Sequence, residues 1–342
     1  MRTKTSLFAA SLLLCMAATA SAQSPEQFYK GRTVDMYIGY SAGGGYDIYA
    51  RAIARHLGKH IPGNPTIVPH NMEGAGSLRL AKWMAKVAPK DGSAIGTISR
   101  SVAFDKLLQT PGSDFRGTSV DWLGSANDEV SVCVSTKASG IRTIDDARKR
   151  TVTVGSTGIN DDTGQFPLAL NGLLGTKFKV VTGYPGGNDT ILAMQRGEVE
   201  ARCGWSWSSV LTSQKPEIDS GKFIVLIQTA LRKHPDLPNV PGILDLVKTD
   251  EQKQIVKLLF ARQTMGRPYI APPGIPKDRL AVLRSAFVAT LKDPDFLKDA
   301  EKQKLEINAV SGEDVQKLVQ DAYATKPDVV AKAIAMIRPP SR

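Results

Sequence analysis

Three cysteines and four histidines in 342 residues leave little material for metal or nucleophilic chemistry. Only Cys133 and Cys203 lie beyond the N-terminal segment, which excludes a framework of several disulfides. His56 and His60 stand four apart on an expected helix, the spacing of a zinc pair. Gly58 lies between them, no Glu accompanies them and no third ligand is evident, so exposed helix histidines are the simpler reading and no metal is expected. No serine triad is expected either, because only His70 follows a plausible strand end. Gly-x-Gly-x-x-Gly is absent, and no Lys-Ser/Thr pair follows a glycine run, so dinucleotides and nucleoside triphosphates lack support and no cofactor is expected. The basic residues are scattered and the densest run is Arg148-Lys149-Arg150, without interleaved aromatics, which argues against nucleic acid. Repeats and low-complexity tracts are also missing.

What is present begins with a leader. Arg2 and Lys4 precede a short apolar run, Leu7 to Ala18, and Ala20-Ser21-Ala22 supplies a cleavage site. This predicts a secretory signal peptide over residues 1–22, a mature chain starting near Gln23, and a periplasmic, soluble product. Cys15 invites a lipoprotein reading, but Leu14 precedes it where a lipid-modified cysteine follows a small residue. Without Arg2 and Lys4 the formal charge falls from +11 to +9, a positive field that suits anionic solutes. Roughly 320 mature residues suggest two domains.

The most informative stretch is Thr33 to Asp47. A strand, Val34 to Gly39, runs into Gly43-Gly44-Gly45 and then a helix with Asp47 as its expected N-cap. Bare backbone N–H groups and a helix N-terminus would meet a small anion there, unless the glycines only form a tight turn. Strands and helices alternate onward, the pattern of α/β folds. Further strands are expected over 66–69, 93–98, 130–134, 151–154, 177–181 and 199–203. Phe223 to Gln228 has no place in the second set and is assigned to the first domain. The expected fold is α/β, two lobes with two mixed sheets joined by two crossing strands. Residues 23–123 plus 222–342 make one lobe and 124–221 the other. Strand ends from both lobes then line one cleft able to close on a ligand.

Six segments in order carry a resemblance. They are Gly39 to Arg51, Pro69 to Ser77, Pro89 to Thr97, Val154 to Gly158, Gly183 to Gly187 and Ala271 to Pro276. Together they resemble the solute receptors of tripartite tricarboxylate transporters, the Bug family of periplasmic binding proteins with a type II fold. The resemblance implies a carboxylate held between the lobes by backbone N–H groups, hydroxyls and water. The matching positions are Ser41, Ala42, Gly43, Gly44 and Asp47 on one side. Ser156, Thr157, Gly158 and Thr163, with Tyr184, Gly186, Gly187 and Asn188, stand on the other. The loop Gly158-Ile-Asn-Asp-Asp-Thr163 departs from the family pattern of small hydroxyl residues. Asp161 and Asp162 there would repel a second carboxylate, accept from a ligand hydroxyl or amine, or face water. The resemblance also implies antiparallel neighbouring strands for Cys133 and Cys203, either bonded or offset as free thiols.

Beside it stand readings of single residues. Arg100 follows a strand end and could grip a ligand carboxylate or be a surface arginine. Trp205 and Trp207, opposite Tyr40 and Tyr46, could sandwich a flat ligand or pack the hinge. The function so predicted is a non-enzymatic, monomeric receptor that delivers a small organic carboxylate to a membrane permease of two subunits. The alternatives are a sensory module presenting its ligand to a membrane receptor, and an enzyme on the same scaffold.

Overall fold

The structure, a computed structural model, describes residues 23–110 and 112–338; the expected signal peptide lies outside them. Eleven strands are described: β1 Thr33–Ile38, β2 Thr66–Asn71, β3 Ala94–Thr97, β4 Asp121–Ser125, β5 Ser131–Thr136, β6 Val152–Ser156, β7 Phe178–Thr182, β8 Ala201–Ser206, β9 Phe223–Thr229, β10 Pro268–Ala271 and β11 Val310–Ser311. The helices that matter below are α1 Gly45–Leu57, α2 Leu78–Lys86, α3 Asp162–Leu174, α4 Gly187–Gln195, α5 Trp207–Ser213, α6 Asp250–Phe260, α7 Lys277–Lys292, α8 Gly312–Tyr323 and α9 Pro327–Ile337.

Two mixed sheets result. The six-stranded sheet runs β11-β4-β10-β3-β1-β2 and the five-stranded sheet β7-β6-β8-β5-β9. The first sheet is parallel across β2-β1-β3 and antiparallel from β3 through β10 to β4. The second is parallel across β7-β6-β8 and antiparallel across β8-β5-β9. In β1 the period of two is plain. Val34, Met36 and Ile38 are fully buried, and they join Tyr49, Ile53 and Leu57 of α1 in one core cluster. Each such side chain contributes about 1.5–3 kcal/mol by leaving water.

The strand Phe223–Thr229 departs from the expectation. It pairs antiparallel with β5, Ser131 opposite Thr229 and Thr136 opposite Phe223, so it belongs to the second sheet. The reason is an open edge. Once β8 covers one side of β5, the other side still presents unpaired backbone groups, and β9 satisfies them. The chain therefore passes to the second sheet between Ser125 and Ser131 and returns after Thr229. The C-terminal part divides as well. Helix α8 packs on β4, but α9 packs on α3, where Gly172 leaves room for Met336 and a Cβ would stand 2.9 Å from its side chain.

At the centre of the second sheet Val132 faces Trp205 while Val134 faces Arg202. Cys133 therefore opposes two residues, Cys203 and Gly204, in a bulge, and Gly204 takes a φ of +65°. Cys133 and Cys203 are joined there in a disulfide. The bulge also changes the alternation of β8. Arg202 and Trp205, three apart and so normally on opposite faces, stack with the guanidinium 4.7 Å from the indole centroid.

One buried acid lies apart from these elements. Asp105 is fully buried after the turn Arg100–Phe104, and neither of its oxygens has a hydrogen bond of normal geometry. Burial pushes its pKa up to about 7, while the nearby Ser113 and Thr110 hydroxyls pull the other way. The folded state thus holds a proton that the unfolded state releases above about pH 4. Stability should fall as pH rises from about 4 to about 7 and then level off. Asp105→Asn should flatten that slope and raise stability at pH 8 by on the order of a few kcal/mol. Urea melts at pH 4.5 and 8 of both proteins measure it; parallel profiles would contradict the assignment.

Candidate functional site

Strand ends of both sheets meet around a cavity of about 50 Å³. The first sheet contributes the turns after β1 and β3. The second contributes those after β6, β7 and β8. Tyr40 and Tyr46 stack at 4.7 Å on one wall, and Trp205 stands on the wall from β8. A side cavity of about 20 Å³ shares Gly44, Gly45, Gly187, Arg202, Trp205 and Ser209 with the first.

Two helix N-termini close on this space from opposite sheets. Helix α1 has Gly44 as N-cap and α4 has Gly186, and neither has a side-chain cap. A Cβ on Gly44 would lie 3.8 Å from the Gly187 nitrogen, so the two positive ends are near neighbours. Asp47 is not the cap expected of it. It sits in the first turn of α1, is buried, and accepts from the Gly43 N–H at 2.8 Å, from Arg51 at 2.9 Å and from Asn71 at 2.9 Å. Its pKa lies below the usual carboxylate range, where those donors outweigh burial. It braces the loop and does not line the cavity.

The walls are heavily charged. Asp162 pairs with Arg100 at 2.5 Å and Arg262 at 3.0 Å. Arg267 lies 3.5 Å from buried Glu129 and donates to Ser206, Ser208 and Ser209. Arg100 lines the cavity as expected, but its donors already have partners: Asp162, the Gly266 carbonyl, Ser131 and Ser206. It joins a residue of the first sheet's turns to the start of α3. Asp161, also in the wall, is the N-cap of α3 and accepts from the Thr163 and Gly164 N–H groups and from the Thr157 hydroxyl. Burial pushes its pKa up.

The remaining expected residues divide. Gly44, Tyr46, Thr157, Thr163, Gly187 and Trp205 line the main cavity. Gly43 and Asn188 line the side cavity. Gly186 stands behind it as the cap of α4, and a Cβ there would strike Ser41. Ser41 itself reaches across and donates to Asp189 at 3.0 Å. Ala42 is exposed. Ser156 turns its hydroxyl to the Gly158 carbonyl and Thr163, away from the space. Gly158 and Tyr184 line a separate groove. Trp207 donates to Asp236 at 3.3 Å and packs beside His234, outside the cavity. Sequence reasoning missed Ser99, Arg202, Ser206, Ser209 and Arg267. The available signal for Arg202 was a lone cation between Ala201 and Cys203 in a buried strand.

Gly39-Tyr40-Ser41-Ala42-Gly43 has nucleophile-elbow spacing at a strand-to-helix turn, which qualifies the expectation of no serine triad. Ser41, however, is bonded to Asp189. The four histidine rings meet Asp299, Asp293, Asp35 and Glu306.

Comparison with known proteins agrees with this geometry. A family model described as tripartite tricarboxylate transporter family receptor matches residues 49–335. A curated relative from Pseudomonas sp. strain P51, the UPF0065 protein in the tcbD-tcbE intergenic region, is 23% identical over 251 residues, 69% of each chain. Among solved structures, the periplasmic binding protein BugD superposes with a TM-score of 0.68 at 22% identity, covering 89% of this chain and 97% of that one. MatC from Rhodopseudomonas palustris, with bound malate, gives 0.69 at 19% identity over 88% and 99%. Rpa4515 of R. palustris, with adipate, gives 0.67 at 19% identity over 89% and 97%. The fold is thus the two-lobed periplasmic-binding-protein fold, and the chain belongs to the tripartite tricarboxylate transporter receptor family.

Proposed function

We propose that residues 23–342 form a periplasmic receptor that closes on a small organic carboxylate and presents it to a two-subunit membrane permease. One observation carries the reading. Two uncapped helix N-termini, one beside each sheet, converge on a single cavity, an arrangement suited to an anion. Malate and adipate in two related structures support the class of ligand. The leader-like segment ahead of Gln23 supports export. Among the described residues no helix is long and apolar enough to cross a membrane.

Binding would draw the two walls together and stabilise the closed form that the permease recognises. A thermal-shift screen of residues 23–342 against mono-, di- and tricarboxylates tests this. A specific acid at about a hundred times its dissociation constant should add roughly 2.7 kcal/mol of stability. A flat response to every carboxylate would sink the reading.

A further inference from the structure

Among the described residues, Asp161 and Arg202 are the charged groups of the cavity wall without an ion pair within 4.0 Å. Arg100 and Arg262 have Asp162, and Arg267 has Glu129, each within 3.5 Å. Arg202 has no carboxylate that close. It is 8% exposed, its Nε has no hydrogen-bond partner, and its one protein hydrogen bond among the described residues runs from Nη1 to the Gly187 carbonyl at 3.1 Å. Its guanidinium lies over Trp205 and borders both the main and the side cavity. A Cβ on Gly187 would stand 3.0 Å from its Nη2, so the α4 N-terminus and this cation touch the same space. The field of Asp161 reaches Arg202, but no carboxylate pairs with it directly. A buried cation without a hydrogen-bonded partner of opposite charge is costly, and an anion in the cavity reduces that cost.

We propose that Arg202 anchors the ligand carboxylate, and that the cleft selects small acids bearing one negative charge. This rests on the receptor reading above. The selection follows from the facing wall. Asp162 is held by Arg100 and Arg262, but Asp161 lines the cavity without an ion pair, and a second ligand carboxylate would meet it within a space of about 50 Å³. By the volume a water needs, that space holds about three to five water-sized groups, so a second charge has no room to move away. Burial, with Arg267 nearby, lowers the pKa of Arg202 to about 10, opposed by Asp161, and the group still carries its charge at pH 7.

Calorimetry on residues 23–342 at pH 7 and low salt decides it. The probes are propionate, lactate and pyruvate against malonate, succinate, malate and adipate. The expected result is a monocarboxylate that binds about tenfold or more tighter than every dicarboxylate. Arg202→Gln should weaken that acid by about 10- to 100-fold. Arg202→Lys, which keeps the charge but loses the fork, should fall between. If a dicarboxylate binds tightest to the unaltered chain, the inference fails while the receptor reading stands. Unchanged affinity in a folded Arg202→Gln protein overturns it as well. If Arg202→Gln does not fold, the selectivity of the unaltered chain and the affinity of the lysine variant decide between the two outcomes. If none of these acids binds, and the wider carboxylate screen is flat, both readings fall.

Discussion

Asp162→Ala should lower the unfolding free energy by about 3–5 kcal/mol, the usual cost of leaving a buried charge without its partner. Here one carboxylate serves two guanidiniums. Arg100 and Arg262 are 2% and 1% exposed on their side chains, and both pair with it. Arg100 keeps Ser131, Ser206 and the Gly266 carbonyl, but none of these is charged. Arg262 keeps a hydrogen bond to Gln165. Asp162→Asn should cost less, since the amide oxygen can still accept. The pair also links the turn after β3 to the first residue of α3, so the loss should show as a looser closed form. Urea unfolding of the three proteins is the measurement. A loss under about 1 kcal/mol would mean that water enters and solvates the arginines, and that the cluster is far wetter than described.

Gly44→Val should abolish carboxylate binding while leaving the fold intact. The residue has a φ of −79°, which any side chain adopts, and its Cβ would meet only ordinary contacts at 3.8 Å. Those contacts are the Gly187 nitrogen and the Ser41 carbonyl, the two sides of the gap between the helix N-termini. Branched methyls would fill that gap and cover the N–H groups. Affinity for the acid found by thermal shift should fall by about a hundredfold or more, the equivalent of about 2.7 kcal/mol. Gly44→Ala should lose less. Neither should move the melting temperature by more than a few degrees. Unchanged affinity in Gly44→Val would show that the glycine run is a structural turn and nothing more.

Much of the fold was legible because it rests on local patterns. The alternation in Val34, Met36 and Ile38 and the four-residue spacing of Tyr49, Ile53 and Leu57 mark β1 and α1 without any tertiary information. Ser311 caps α8 with a bond to the Asp314 N–H at 3.1 Å, as its spacing from Asp314 predicts. The placement of β9 was not legible, because which sheet edge a strand joins depends on what the other edges already hold. The same distinction separates the site residues. Glycines at the β1 turn announce open backbone in the sequence itself. Whether a hydroxyl points inward does not, and Ser156 turns away while Thr157 lines the wall. Arg100 was visible as a cation at a strand end, but its partner Asp162 is 62 residues away. Arg202 was hidden by the bulge at Gly204, which changes the side-chain alternation that sequence reasoning relies on.

The most direct test of the central claim is a crystal structure of residues 23–342 with the acid identified by thermal shift. The account predicts its carboxylate between Gly44 and Gly187, taking backbone N–H groups from the α1 and α4 N-termini, with the Arg202 guanidinium within hydrogen-bond distance. A carboxylate bound away from both helix N-termini, or held at only one sheet, would contradict it.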